Sequence, residues 1–180
     1  LAMDIPEGFL ERCEKFVDEM PAHVDEYESL LSKNPIWLAR TQGVAPLAAA
    51  DALAWGVTGP SLRGSGVNWD LRKSQPYSGY ETYAFDVPLG RNGDAYDRFT
   101  VRVAEIRQST HIAKQAIARV RELGEKGDYR LRDFKYVLPP KEEVKTSMEA
   151  LIHHFKIVAH GFFPPVGEAY HAVEAPKGEL

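Results

Sequence analysis

A chain of 180 residues has the usual length of one domain and can bury a sizeable core. Its formal net charge of −4 argues against a nucleic-acid-binding protein, which would present a basic face, and no apolar run approaches the roughly 20 residues that span a bilayer. One cysteine cannot form an internal disulfide, which fits a reducing compartment, and we expect Cys13 to be a buried structural residue.

Apolar residues recur at helical spacing in the first part of the chain. Asp4 can cap a first helix, and Pro21 should break or kink that helix. A short helix is predicted to begin at Asn34–Pro35, because Asn caps helices well and Pro suits the first turn. An alanine-rich helix should follow from Pro46 to about Gly56.

The next segment, Gly56 to Lys73, contains four glycines and a proline, which predicts a loop. This loop carries an unusual load of large and charged side chains: Arg63, Trp69, Asp70, Arg72 and Lys73. Its glycines do not follow the phosphate-binding pattern G-x-x-x-x-G-K-[ST]. We favour a structural loop in which Asp70 neutralises Arg63 or Arg72, and a docking surface stays open as the alternative.

Two longer helices are predicted in the second half. The first runs from about Asp94 to Leu123 and ends at Gly124. Its inward seam steps by three and four residues: Tyr96, Phe99, Val103, Ile106, Thr110, Ala113, Ile117 and Val120. The second helix should run from Pro140 to Gly161, and the intervening stretch 129–138 is read as a strand or an extended linker.

The tail gives the clearest β signal. Residues 168–175 alternate as an extended strand does, and 176–179 indicate a turn, so a β-hairpin should start within about 167–180. The sequence therefore predicts a mainly α protein, a long-helix bundle with a small β element near the C-terminus. We expect one partial domain over 1–180, with a helical core at about 5–160.

Six runs of residues carry more information than the periodicity does. In chain order they are GVTGPSLRGSGVNWDLRK (56–73), SQPYSGY (74–80), FDVPLG (85–90), DAYDRF (94–99), RVAEIRQS (102–109) and EAPKGEL (174–180). Together they resemble the D subunit of respiratory complex I, whose chain is longer at both ends. We therefore expect the sequence to be the central and later portion of such a subunit.

This resemblance implies a peripheral-arm subunit of a proton-pumping NADH:quinone oxidoreductase, with a fold like that of the large subunit of nickel-iron hydrogenases but without its metal. In the family, the histidine and tyrosine that hold the quinone headgroup precede the part represented here. We therefore assign no catalytic, cofactor-binding or metal-binding residue to this chain. Its expected role is a helical scaffold for electron transfer from the terminal iron–sulfur cluster to quinone.

The resemblance also implies partners and a location. Other peripheral-arm subunits should bind, above all the one that carries the terminal iron–sulfur cluster, and quinone should bind in the full complex. The location would be peripheral, on the cytoplasmic side of a bacterial cell membrane. The isolated chain is expected to be inactive and to self-associate. The alternatives are the large subunit of an energy-converting hydrogenase and a stand-alone helical interaction module.

Arg102 and Arg107 flank the seam of the long helix, where a half-buried guanidinium needs an acidic or carbonyl partner. Glu105 lies one turn from Arg102, and we expect at least one of the two arginines to pair with a carboxylate between Asp70 and Asp86. The predicted charge network comprises Arg63, Asp70, Arg72, Arg102, Glu105 and Arg107. We favour a structural network over a charge chain that couples redox chemistry to proton movement.

The remaining candidates are weaker. His153 and His154 are adjacent, and His160 is two turns from His153, so the histidines do not predict a metal site. An aromatic cluster could line an apolar cavity or form the core beneath the charged loop, and we favour the core; its members are Trp69, Tyr77, Tyr80, Tyr83 and Phe85.

Overall fold

The computed structural model describes residues 5–124 and 131–180. It is mainly helical and carries a two-stranded antiparallel sheet at its C-terminus, which confirms that part of the predicted fold class. The chain divides into two compact units: a larger unit of 7–122 with 171–180, and a smaller unit of 123–170 with the N-terminal residues up to Pro6. Among the described residues, no helix combines the length and apolarity needed to cross a membrane.

The larger unit contains six helices, a short 3₁₀ turn at Tyr80–Thr82 and the hairpin, counted over the described residues. The helices are α1 (Phe9–Leu31), α2 (Pro35–Thr41), α3 (Ala49–Ala54), α4 (Gly59–Gly64), α5 (Leu71–Ser74) and α6 (Ala95–Leu123), of which only the last residue, Leu123, is counted with the smaller unit. The hairpin strands are β1 (Glu174–Ala175) and β2 (Gly178–Glu179). The smaller unit contains α7 (Lys141–Thr146) and α8 (Met148–His160).

α1 differs from the expectation at its start and at its proline. Its N-cap is Gly8, and Asp4, the predicted cap, lies outside the described residues. The helix continues through Pro21, so the predicted break is wrong. An internal proline costs about 3 kcal/mol, and burial of Val17 and Val24 on either side of it opposes that cost. Cys13 is half-buried rather than fully buried.

The predicted loop between Gly56 and Lys73 contains two short helices, α4 and α5, so the loop prediction is wrong over those residues. Pro60 lies in the first turn of α4, where its missing N–H removes no helical hydrogen bond. Asp70 caps α5, because its Oδ1 accepts a hydrogen bond from Arg72 N at 2.9 Å. α2 follows the prediction, with Asn34 as its cap.

α6 confirms the longest predicted helix. It spans Ala95–Leu123, and Asp94 Oδ1 accepts a hydrogen bond from Asp97 N at 2.8 Å, as an N-cap does. The predicted seam is only partly buried: Val103 is buried and the other seam residues are half-buried. Asp97 and Val101, which are also buried, lie outside the seam, so the inward face is rotated towards them.

The helix predicted from Pro140 to Gly161 is divided in two. Ser147 has extended backbone angles and caps α8 by accepting a hydrogen bond from Ala150 N at 3.3 Å. The stretch read as a strand or linker at 129–138 begins in residues outside the description, and its described part, 131–138, contains a turn at 134–136 and no strand. At the tail, Glu174 pairs with Glu179 and Ala175 with Gly178, so the return strand of the hairpin is present.

Candidate functional site

A buried guanidinium on α4 connects that helix with three other parts of the larger unit. The Arg63 side chain is 1% exposed, and its Nε donates a hydrogen bond to Glu105 Oε1 of α6 at 2.6 Å. Its Nη1 donates to the Trp69 carbonyl oxygen at 3.0 Å and lies 2.9 Å from Glu174 Oε1 of β1. The same nitrogen is 3.7 Å from Asp70 Oδ2. One cation therefore joins α4, α6, the approach to α5 and the C-terminal hairpin.

Asp70 and Arg72 form the second half of this network. Arg72 Nη2 and Nε donate to the two oxygens of Asp70 at 2.6 and 3.0 Å, a bidentate pair. Burial by itself raises the pKa of Asp70, but the Arg72 hydrogen bonds and charge, with the charge of Arg63, outweigh it and lower the pKa below its ordinary value. Burial likewise opposes the charged form of Arg72, yet Asp70 raises the Arg72 pKa.

Glu174 is a member that the sequence analysis missed. Its Oε2 accepts a hydrogen bond from Leu71 N at 3.3 Å, and its backbone N–H donates to Tyr77 Oη at 2.9 Å. Its Oε1 meets Arg63 as an ion pair but has no aligned hydrogen bond. The one sequence signal that could have pointed to it is the acidic start of the predicted hairpin, since a buried arginine needs several acceptors.

The network contains more negatively charged than positively charged side chains. Arg63 and Arg72 contribute two positive charges, while Asp70, Glu105 and Glu174 contribute three negative charges. A surplus charge is costly in a buried site unless cations lie nearby. The exposed Arg102 and Lys177 line the adjacent cleft, where their charges oppose the surplus.

That cleft has a volume of about 590 Å³, within the range of small-molecule sites. One wall is a single face of α6, at positions i, i+3, i+4 and i+7, and the other wall is the hairpin. The lining residues from α6 are Arg102, Glu105, Ile106 and Ser109, and those from the hairpin are Glu174, Ala175, Pro176 and Lys177. Pro60, Arg63 and Arg72 complete the lining, so seven of the eleven lining residues are polar or charged, although apolar atoms form the greater part of the lining surface.

Arg102 and Arg107 do not make the pairs that the sequence suggested. Arg107 Nη2 lies 2.7 Å from both Asp25 Oδ1 and Glu28 Oε2 of α1, and these hydrogen bonds raise its pKa. Arg102 Nη1 donates to the Arg98 carbonyl oxygen at 2.9 Å. The prediction that one of these arginines pairs with a carboxylate of the 70–86 segment is therefore wrong. Arg107 faces α1, and Arg102 faces the cleft.

Arg107 belongs instead to a ladder of ion pairs between α6 and α1. Lys114 Nζ lies 2.7 Å from Asp18 Oδ1, and Arg121 Nη2 lies 2.6 Å from Glu14 Oε2. Position numbers rise along α6 while they fall along α1, which is the order expected of antiparallel neighbours. These side chains are largely exposed, so each pair contributes little to the stability.

The aromatic cluster packs around Tyr80 rather than lining the cleft. The Tyr80 ring lies 5.2 Å from that of Tyr77 and 6.4 Å from that of Phe85, between centroids. Phe85 is buried, and the Arg72 guanidinium carbon and Lys73 Nζ lie 5.1 and 4.2 Å from its centroid. None of the five cluster residues lines the cleft, which favours the core interpretation, although Trp69 is exposed.

A second polar site surrounds the start of α6. Asp94 Oδ2 accepts a hydrogen bond from Gly43 N at 2.8 Å, and Asp97 Oδ2 accepts from the N–H groups of Arg91, Asn92 and Gly93. Burial alone raises the pKa of Asp94, but backbone hydrogen bonds and the charge of Arg98 lower it overall. These carboxylates are used to order the loop before α6.

Metal binding finds no support in the described part of the chain. Across residues 5–124 and 131–180, no group of three or more His, Cys, Asp or Glu side chains could hold an ion. His153 contacts the Phe134 ring at 6.4 Å between centroids and lies 3.9 Å from Glu149 Oε1. That the chain binds no metal stays a prediction.

Comparison with known proteins covers the whole chain. The family model for the respiratory-chain NADH dehydrogenase 49 Kd subunit matches residues 1–180. Relatives include D subunits of NADH-quinone oxidoreductase from Roseiflexus sp. (strain RS-1), 53% identical, and from Geotalea uraniireducens (strain Rf4), 51% identical, each over all 180 residues of this chain. The chain spans 43% and 45% of those relatives, less than half their length. It therefore belongs to the family of the 49 kDa subunit of respiratory-chain NADH dehydrogenase.

Proposed function

We propose that these 180 residues are a helical scaffold within the quinone-chamber subunit of a proton-pumping NADH:quinone oxidoreductase. In that role the chain supports electron transfer from the terminal iron–sulfur cluster to quinone without itself holding either group. The observation that carries this proposal is the Arg63 network, which joins α4, α6 and the hairpin through one buried cation.

The chemistry of Arg63 favours a structural role. Guanidinium remains protonated at every pH that a protein tolerates, so it neither donates nor accepts a proton in catalysis. Its Nε and Nη1 are committed to Glu105, the Trp69 carbonyl and Glu174. A group with its contacts committed inside the protein fixes geometry, and this is our reason for preferring a scaffold to a chain of proton carriers.

The proposed partners are the other peripheral-arm subunits, above all the subunit that carries the terminal iron–sulfur cluster. The proposed location is peripheral, at the cytoplasmic side of a bacterial membrane, and the proposed fold is that of the hydrogenase large subunit. Support comes from relatives that are named as D subunits of NADH-quinone oxidoreductase. Those names favour this function over a hydrogenase large subunit and over a stand-alone interaction module.

The test replaces Arg63 in the full complex. Arg63→Gln should lower the amount of assembled complex, because buried carboxylates lose their cation, while the assembled remainder keeps its KM for quinone. Arg107→Gln is the matched control, since Arg107 also contacts two carboxylates but lies at the surface. Native gels measure assembly, and quinone titration of the assembled enzyme measures KM. Normal assembly with a raised KM for quinone would mean that Arg63 acts directly on the substrate.

A further inference from the structure

The most apolar face of α8 is its exposed face. Phe155 is 70% exposed, and Met148, Leu151 and Val158 are exposed as well. Ala150, on the other side of the helix, is 1% exposed. An isolated domain normally shows the reverse arrangement, with the apolar side inward. The exposed side of α8 is therefore built to contact another element.

The spacing on this face identifies the kind of element. Met148, Leu151, Phe155 and Val158 follow one another by three, four and three residues, which is the a and d pattern of two helices packed side by side. Lys156 is exposed but does not belong to this series. We call these four residues the α8 seam. A helical partner matches the seam, because side chains at this spacing interdigitate with those of a neighbouring helix.

The chemistry of the seam indicates a permanent contact. It contains no charged residue, and apolar contact surfaces are characteristic of obligate contacts rather than transient ones. Two further large apolar residues that follow the helix in sequence, Phe162 and Phe163, are exposed as well. Left uncovered, a patch of this kind drives non-specific association.

The size of the seam and the length of the relatives indicate where the partner comes from. Four side chains offer well under the roughly 800 Å² per partner that a stable complex of separate proteins needs. A helix of the same polypeptide loses no translational freedom on binding, so a smaller contact is enough. The 180 matched residues make up only 43–45% of the length of the relatives, so most of each relative lies outside the matched part.

We propose that an amphipathic helix of the same polypeptide, from the part of the full-length subunit outside these 180 residues, packs along the α8 seam. This proposal rests on family membership and not on the proposed role at quinone. The two can therefore fail separately.

The test is photo-crosslinking in the full-length subunit within its complex. Phe155→p-benzoylphenylalanine places the reactive ring on the seam and keeps an aromatic side chain there. Lys156→p-benzoylphenylalanine is the matched control one residue away, off the seam. Mass spectrometry should find the crosslink from position 155 in a segment of the same polypeptide outside these 180 residues. Crosslinks to residues within the 180, to another subunit or to lipid, or none above the control, would overturn the proposal.

A second measurement does not depend on crosslinking efficiency. Phe155→Glu places a charge in the contact and should speed proteolysis of the full-length subunit by about tenfold or more, because the open state becomes more populated. Lys156→Glu should stay within about twofold of the wild type. Equal proteolysis rates for the two variants would mean that no element covers the seam.

Discussion

Arg63→Ala gives the sharpest test of the buried network. The substitution removes the cation that lies within 3 Å of both Glu105 and Glu174 and leaves these carboxylates inside the protein. Breaking a buried pair in this way costs about 3–5 kcal/mol, because the remaining charge has no compensation. The hydrogen bond to Glu105 belongs to the charge-assisted kind, which alone is worth about 1.5–3 kcal/mol. We expect a loss of about 4 kcal/mol in the free energy of unfolding.

Arg107→Ala is the matched control for this prediction. Arg107 also contacts two carboxylates at 2.7 Å, but its side chain is 37% exposed and those of Asp25 and Glu28 are exposed further. Water and salt screen such pairs, so their loss should cost under about 1 kcal/mol. The two variants delete the same side chain and differ mainly in burial. Urea unfolding of the 180-residue chain, followed by circular dichroism, measures both free energies.

A loss of about 4 kcal/mol is a large part of the roughly 5–15 kcal/mol that stabilises a domain, so Arg63→Ala could leave the chain unfolded. Arg63→Lys keeps the positive charge but replaces the planar fork with a single ammonium, and we expect it to cost about 1–3 kcal/mol. From most to least stable, the expected order is wild type, Arg107→Ala, Arg63→Lys and Arg63→Ala. If Arg63→Ala cost no more than Arg107→Ala, the reasoning from burial would be refuted.

The contacts of the larger unit and the exposed apolar surface lead to four further predictions. Gly59→Ala should destabilise the folded chain by several kcal/mol more than Gly56→Ala, as measured by thermal unfolding. Both glycines have φ near +65°, but an added Cβ at Gly59 would lie 2.7 Å from Gly178 N, while one at Gly56 would meet nothing within 4 Å. Hydrogen bonds lower the pKa of Asp94 in the folded chain below 3.8, so its stabilising contribution is present above about pH 4 and is lost as the pH falls through the lowered pKa. Asp94→Asn should therefore flatten the acid side of a profile of unfolding free energy against pH. Glu174→Gln keeps an acceptor and removes the surplus negative charge, so in urea unfolding it should cost less than Glu174→Ala. The isolated chain should form dimers or larger species at high concentration, and a strictly monomeric profile in light scattering would contradict this.

Sequence periodicity predicted α6 because 29 consecutive residues repeat the same signal. It failed where elements are shorter than two helical turns, because a repeat cannot show itself in so few residues. α4 has six residues and α5 has four, so neither completes two helical turns, and the glycines around them indicated a loop. The sequence did not predict the division at Ser147, because the apolar spacing runs across it without interruption. The cap that begins α8 is a single hydrogen bond to the Ser147 hydroxyl.

The charge network was predictable only in part. Asp70 and Arg72 are two residues apart, and their pairing was among the sequence expectations. Arg63 and Glu105 are 42 positions apart, and Glu174 comes from the other end of the chain, so no local pattern connects them. The ladder between α1 and α6 is easier to predict from the sequence, because its three basic residues repeat every seven residues along α6: Arg107, Lys114 and Arg121.

The C-terminal hairpin is held by contacts with residues 58–77, which makes its position a consequence of the network. Glu179 N donates to Thr58 Oγ1 at 2.9 Å, and Glu174 N donates to Tyr77 Oη at 2.9 Å. A two-stranded hairpin is marginal in water by itself, so these contacts and the Arg63 ion pair must hold it in place. The hairpin forms one wall of the cleft, so the ion pair between Arg63 and Glu174 helps to hold that wall in place. A change at Arg63 therefore reaches the cleft in two ways, through the hairpin wall and through Arg63 itself, which is part of the lining.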